Sequence, residues 1–294
     1  MTDLLNAVFT GLAVGSVYGL VALAYSVVFV ATRVFNLAQG DLVMVGVLLS
    51  YLALKVEGWP QVAAFALVLV GVVAISLFEE RLIVRPFLRR PQHNIGWFIA
   101  TLAFALVIET VATILYGDNP PNPVPSPLSS HPVHLGPITT TPQLLLSIGA
   151  LVMITLAIEL MYRRTWIGHA LRATAEDREI AALRGISPTR MSRLAFLIGG
   201  VISAISAFVV APVVYADVSI GLSYSVKGFV ALAIGGFGSI RGALVGALLL
   251  GVTEQVYELH GDARFEMVAG FALLLVVLVI RPRGIFGDRR ARTV

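Results

Sequence analysis

Few charges lie inside the apolar stretches of this chain; Glu109, Glu159 and Glu254 are among them. An ionised side chain in hydrocarbon is costly unless paired or hydrated, so each is a candidate for proton or substrate coupling. Glu159 and Glu254 fall near the ends of their stretches, where a carboxylate reaches the interface and needs no further role. Glu109 lies closer to the middle of its own. A second polar group, Asn36, Gln39 and Asp41, follows the first apolar run, and Gly235, Gly236 and Gly238 interrupt a later one beside Arg241. A third group, Glu176, Asp177 and Glu179, alternates with arginines and small apolar residues between Arg172 and Arg190.

Other chemistries are excluded. The chain has no cysteine, hence no disulfide and no thiolate metal site. His131 and His134 have no acidic partner close in sequence and are read as solvated loop residues, not metal ligands. Of the two lysines, Lys55 and Lys227, neither follows a glycine, so no G-x-x-x-x-G-K-[ST] phosphate cradle exists. H-E-x-x-H and G-x-S-x-G are absent too. The chain reads as a non-enzyme that binds no cofactor; if ATP and Mg drive it, they sit on a separate polypeptide.

The elements that must position these residues are membrane helices. Of the 294 residues 57% are hydrophobic and only 13% charged, and the mean hydropathy is +0.89. Apolar stretches run over 5–31, 37–54, 61–78, 96–116, 143–161, 194–215, 226–256 and 266–281. Several approach or exceed the roughly 20 residues that cross a bilayer core as a helix. The fold class is therefore an all-α polytopic membrane protein with eight or nine transmembrane segments. The glycines of 226–256 mark that segment as broken or re-entrant. Strand-length alternation with regular polar turns, the mark of a membrane β-barrel, is missing. Asp3 precedes the first run and no basic residue occurs before Arg33, so that run is read as a retained helix, not a cleaved signal.

Basic loops set the orientation. Arginines concentrate in 79–95, in 162–193 and after Ile280, which places those regions in the cytoplasm. The Pro-rich 117–142 loop holds no Lys or Arg and is external, a stiff connector over helix ends. The net charge of +4 belongs to these loops and implies lipid, not nucleic acid.

The charged segment between Arg172 and Arg190 carries a more specific signal. Trp166 to Arg184 reads as one helix with a narrow stripe of apolar residues, among them Ala173, Ile180 and Leu183. Gly185 suits the position after a helix end, and Ser187-Pro188 provides an N-cap with proline at the first helical position. A solvated topology loop needs only arginine; this punctuation specifies a helix built to lie in a partner's groove.

Here the residues resemble a family. E-I-A-A-L-R-G (Glu179–Gly185) is similar to the EAA loop of bacterial ABC-importer permeases, and R-A-T-A-E-D-R-E-I-A-A-L-R-G-I resembles the branched-chain amino acid permeases in particular. V-F-N-L-A-Q-G-D (Val34–Asp41), G-F-V-A-L-A-I-G-G-F-G-S-I-R-G-A (Gly228–Ala243) and V-I-R-P-R-G-I-F-G (Val279–Gly287) agree, in order, across essentially the whole chain. Its length is similar to that of the shorter of the family's two permease subunits. Ile180, Gln39 and Asp41 depart from the usual alanine, histidine and glutamate, and related permeases carry urea, short amides or other carboxylated compounds.

The resemblance implies a single permease domain over 1–294 in the bacterial inner membrane. It implies a second permease subunit, two cytoplasmic ATPases holding ATP and Mg, and an external solute-binding protein. Within the coupling segment 163–193, Arg172, Glu176, Asp177, Glu179, Ala182, Leu183 and Gly185 are expected at the ATPase contact. Asn36, Gln39, Asp41, Gly235, Gly236 and Gly238 are expected to line or gate the pathway. The rival classes are an ion-coupled carrier, which would transport without an ATPase, and a scaffold or receptor, which would tolerate changes at Glu179 or Gly185.

Overall fold

The computed structural model describes residues 2–88, 96–117, 122–126, 128, 133–135, 138–259, 261–262 and 265–287. His131, Arg89, Arg90 and the arginines of the last seven residues lie outside them, as does the side chain of His134.

All eight apolar stretches become helix. In chain order they are α1 (Thr2–Thr32), α2 (Gln39–Tyr51) with a π-turn Leu52–Val56, α3 (Gln61–Glu79) with a π-turn Glu80–Val84 and a short α4 (Arg85–Leu88), and α5 (Gly96–Tyr116). A small hairpin, β1 (Val133–Leu135) and β2 (Ile138–Thr140), precedes α6 (Pro142–Arg164). Then come α7 (Trp166–Glu176), α8 (Arg178–Leu183), α9 (Pro188–Val214), α10 (Ile220–Gly235), α11 (Ile240–Glu258) and α12 (Glu266–Ile280). Among the described residues, six helices are long and apolar enough to cross a membrane. The interrupted seventh stretch is α10 and α11, bent by 115° at the glycines, and α12 is a shorter apolar helix.

The core forms around α1, which is apolar on every side and therefore belongs inside a bundle. Leu20, Val21, Ala22, Leu23 and Ala24 are all at 0% exposure. α11, α9, α10 and α6 surround it. Because lipid is as apolar as leucine, close backbone approach is what holds such helices together. Gly11, Gly15 and Gly19 repeat at four-residue spacing and lie against α11: a methyl on Gly15 would come within 2.7 Å of the Ala247 carbonyl oxygen.

The break between α10 and α11 is closed from far along the chain. Ile285 and Phe286 donate backbone N–H groups to the carbonyls of Ile234 and Gly235, at 2.9 and 2.8 Å. Those carbonyls belong to the open end of α10. Gly236 takes φ +105° and Gly284 φ +79°, values that suit only glycine, and a methyl on Gly284 would meet the Gly236 backbone at 2.5 Å. Ser239 then caps α11 by accepting from the Gly242 N–H at 3.0 Å. At the opposite end, the described part of the Pro-rich loop ties down: Asn122 and Ala216 exchange backbone hydrogen bonds of 3.1 and 2.8 Å.

One expected element is corrected. Trp166 to Arg184 is two helices, broken at Asp177. The Asp177 backbone is extended (φ −154°, ψ 116°), and its Oδ1 accepts from the N–H groups of Glu179 and Ile180 at 2.8 and 2.9 Å. An aspartate that can cap a new helix competes with continuing the old one.

Candidate coupling loop and gate

The loop that joins α6 to α9 is built as a chain of caps. The Thr165 hydroxyl accepts from Gly168 N at 3.1 Å and starts α7. Asp177 starts α8, Gly185 ends it at φ +83°, and Ser187 with Pro188 starts α9. α7 is anchored: Gly168, Ala170, Leu171 and Thr174 are buried, Arg33 Nε donates to the Ala175 carbonyl at 3.2 Å, and the Arg172 guanidinium sits 5.4 Å from the Tyr162 ring centroid. α8 is held by Ala181 alone among its buried residues. Its tip is bare, with Ile180 52% and Leu183 88% exposed. The apolar stripe expected to include Ala173, Ile180 and Leu183 is thus split by the Asp177 break.

Arg172, Glu176, Asp177, Glu179, Ala182, Leu183 and Gly185 all lie exposed on this one projection. Arg178 turns inward. Burial pulls its guanidinium below the ordinary arginine range, and the facing Glu80 carboxylate works against that shift.

Asn36, Gln39 and Asp41 are also brought together, and are buried at 1%, 1% and 2% exposure. Asn36 donates to Glu79 Oε2 at 2.8 Å and to Gln39 Oε1 at 3.3 Å, while Gln39 Nε2 donates to the Ser203 hydroxyl at 2.6 Å. The Ser225 hydroxyl accepts from Gly40 N and donates to the Leu37 carbonyl, both at 3.0 Å. This network knits the α1–α2 turn to α3, α9 and α10. Glu109 is half-buried on α5.

Beside the network stands an aromatic cluster. Phe35 stacks on Phe29 at 4.4 Å between ring centroids and meets Phe237 edge-on at 4.8 Å, Phe229 at 5.7 Å and Trp97 at 6.3 Å. Phe237 comes from the glycine break and Phe35 from the α1–α2 turn, so two expected gate segments meet through these rings. Gly238, φ +79°, touches the same place: a methyl there would lie 3.7 Å from Val30 and 3.8 Å from Phe29. Gly235 is packed against the Gly242 backbone.

Two carboxylates read as interfacial are not free. Glu159 Oε1 accepts from Arg241 Nε at 2.7 Å and pairs with Arg163 at 2.9 Å. Glu254 is 1% exposed and pairs with Lys227 Nζ at 3.1 Å; Lys227 also reaches Glu266 at 2.6 Å and the Tyr18 hydroxyl at 2.7 Å. The burial of Glu254 corrects the interfacial reading. Sequence reasoning passed over Lys227, although a lysine within an apolar stretch is itself a signal. It also missed Glu79 and Glu80, both at 0% exposure just past the third stretch, and Phe35, Phe229 and Phe237.

The family described as branched-chain amino acid transport system / permease component matches residues 7–279. The chain belongs to this family. Among the permeases it resembles is the high-affinity branched-chain amino acid transport system permease protein LivH of Escherichia coli (strain K12), 30% identical, with 96% of this chain and 95% of that one covered. BraD of Pseudomonas aeruginosa, of the same description, is 30% identical over the same shares. The probable branched-chain amino acid transport permease protein LivH of Methanocaldococcus jannaschii is 24% identical over 91% of this chain and 88% of its own. A solved structure, PsaBC from Streptococcus pneumoniae in complex with Fab, has a similar fold at 13% identity and TM-score 0.50, covering 97% of this chain and 94% of that one. The permease role and the multi-pass membrane class follow from the family and from the apolar helices.

Proposed function

We propose that this chain is one permease subunit of an ATP-binding-cassette importer that carries leucine, isoleucine and valine across a bacterial inner membrane. A second permease subunit, two cytoplasmic ATPases and an external solute-binding protein complete it. ATP and Mg belong to the ATPases. The carrying observation is the bare apolar tip of α8 on a rigidly capped loop, with Leu183 88% exposed. A six-residue helix held by one buried side chain has little reason to keep two large apolar residues in water, and a groove on another protein would cover them.

The aromatic cluster around Phe35 is the inner gate of this reading. A ring plug closes a pathway by excluding water as well as by bulk. Asn36 and Gln39 hold the turn that carries Phe35, with Asp41 buried beside them, and Gly235, Gly236 and Gly238 shape the backbone that carries Phe237. ATP-driven closure of the ATPases moves the α7–α8 loop, and the bundle switches between two packed arrangements. Relatives described as branched-chain amino acid permeases support the substrate.

The test is reconstitution with the partner subunits. Leu183→Glu should abolish copurification of the ATPase and uptake of leucine while the chain still inserts. Leucine uptake by the chain alone, with no ATPase present, would sink the importer reading in favour of an ion-coupled carrier.

A further inference from the structure

α1 gives way to a residue that does not suit its own backbone. Arg33 follows Thr32 at φ +58°, in the left-handed region where the position after a helix ordinarily holds glycine. Among the described residues only Tyr215 shares a positive φ without being glycine. The Arg33 N–H donates to the Phe29 carbonyl at 2.8 Å, which fixes the turn in this form. Glycine would adopt it at no cost, so a long side chain kept there is kept for its contacts.

Those contacts reach two places. Arg33 Nε donates to the Ala175 carbonyl at 3.2 Å, across the surface where α1 packs on α7. Ala175 is the last residue but one of α7, and its carbonyl is among the four that a helix end leaves open. A cation there also suits the helix dipole. Asp177, which starts α8, is two residues further on. The same guanidinium lies 5.7 Å from the Phe29 ring centroid, and Phe29 stacks on Phe35 at 4.4 Å. Arg33 thus touches the α7–α8 joint and the plug at once. Its hydrogen bond is exposed and adds little to stability, so folding alone does not explain an arginine here. The Glu159–Arg241 pair also lies near the plug, but it joins α6 to α11, whereas Arg33 bonds to α7 itself.

We propose that Arg33 is the positioning residue that carries movement of the coupling loop to the aromatic plug. Resting on the importer reading, the inference names the joint between its ATPase contact and its gate. When α7 shifts, the Ala175 carbonyl draws the guanidinium with it. The pull falls on a turn already strained, and Phe29 and Phe35, on either side of that turn, change their stacking. Arg33 itself does not touch the solute.

The experiment reads leucine moved per ATP hydrolysed in the reconstituted importer, together with thermal unfolding of the same variants. Arg33→Gly fits the backbone and removes the guanidinium. It should leave ATPase copurification and hydrolysis in place and lower the ratio roughly ten-fold, within the range typical of coupling between sites. Its unfolding midpoint should be unchanged or higher, because glycine relieves the left-handed turn. Arg33→Lys keeps a cation that can donate to a carbonyl at a helix end, and should retain most of the ratio. An unchanged ratio in Arg33→Gly, a loss accompanied by a fallen midpoint, or an Arg33→Lys as poor as Arg33→Gly overturns the inference. The unaltered chain separates the two layers: uptake that persists with an ATPase unable to bind ATP overturns the importer reading and this inference together. ATP-dependent uptake with an unchanged ratio in Arg33→Gly overturns this inference alone.

Discussion

At Lys227 one ammonium serves two carboxylates and a tyrosine hydroxyl from three other helices: Tyr18 on α1, Glu254 on α11 and Glu266 on α12. The electrostatic gain is large only because the group is nearly dry, with the Lys227 side chain 13% and the Glu254 side chain 2% exposed. Removing the cation leaves carboxylates facing each other in apolar surroundings. Lys227→Met should therefore cost about 3 kcal/mol, the usual penalty for orphaning one side of a buried pair. Thermal unfolding in detergent measures it, and Lys227→Met/Glu254→Gln should recover part of the loss. A fall in midpoint no larger than that of an exposed substitution would show the cluster to be incidental. Phe35 permits a different kind of prediction. Phe35→Ala empties the centre of the ring cluster, so vesicles holding the permease pair should leak leucine without ATP; vesicles as tight as those with the unaltered chain would remove the plug from the mechanism.

At the scale of elements, the caps decide what moves. Asp177 supplies the two hydrogen bonds that start α8, and loss of an N-cap costs about 1 kcal/mol. Hydrogen exchange over residues 178–183 should accelerate in Asp177→Ala with the rest of the chain unchanged, and leucine uptake should fall with it. This break also marks the limit of reading elements from sequence. Gly185 and Ser187-Pro188 were legible because left-handed glycine and N-cap chemistry are local. Asp177 was not, because aspartate is tolerated inside a helix as well as at its start, and only the buried face of α7 decides between the two. The eight apolar stretches were legible for the opposite reason: length and composition suffice in a membrane. Lys227, Glu79 and Glu80 were passed over, and Glu254 misread, because the partners of a charge in an apolar run lie on distant helices.

For the molecule as a whole, sequence gave each motif its place but not its neighbours. Val34–Asp41 and Gly228–Ala243 meet through Phe35 and Phe237; Val279–Gly287 docks on the same glycine break. The coupling loop ties to the same end, where Arg33 Nε donates to the Ala175 carbonyl and Glu159 bridges Arg163 to Arg241. Four stretches that looked like separate signatures are thus one assembly at the arginine-rich end of the bundle. The substrate remains the least legible feature, since a permease that receives solute from a binding protein needs little affinity of its own. Offering the partner binding protein leucine, isoleucine, valine and urea addresses it directly, and saturable binding of urea with none of the three amino acids would overturn the proposed substrate.

The seam between residues 234–235 and 285–286 also sets an order of manufacture. A ribosome finishes α10 and α11 before it makes Ile285 and Phe286, so the two α10 carbonyls wait unsealed while α12 is made. The bend is therefore among the last parts of the protein to set. A stop codon after Ile280 would leave every long helix in place and should yield a protein that inserts but is cleared by quality-control proteases, with pulse-chase half-life as the measure.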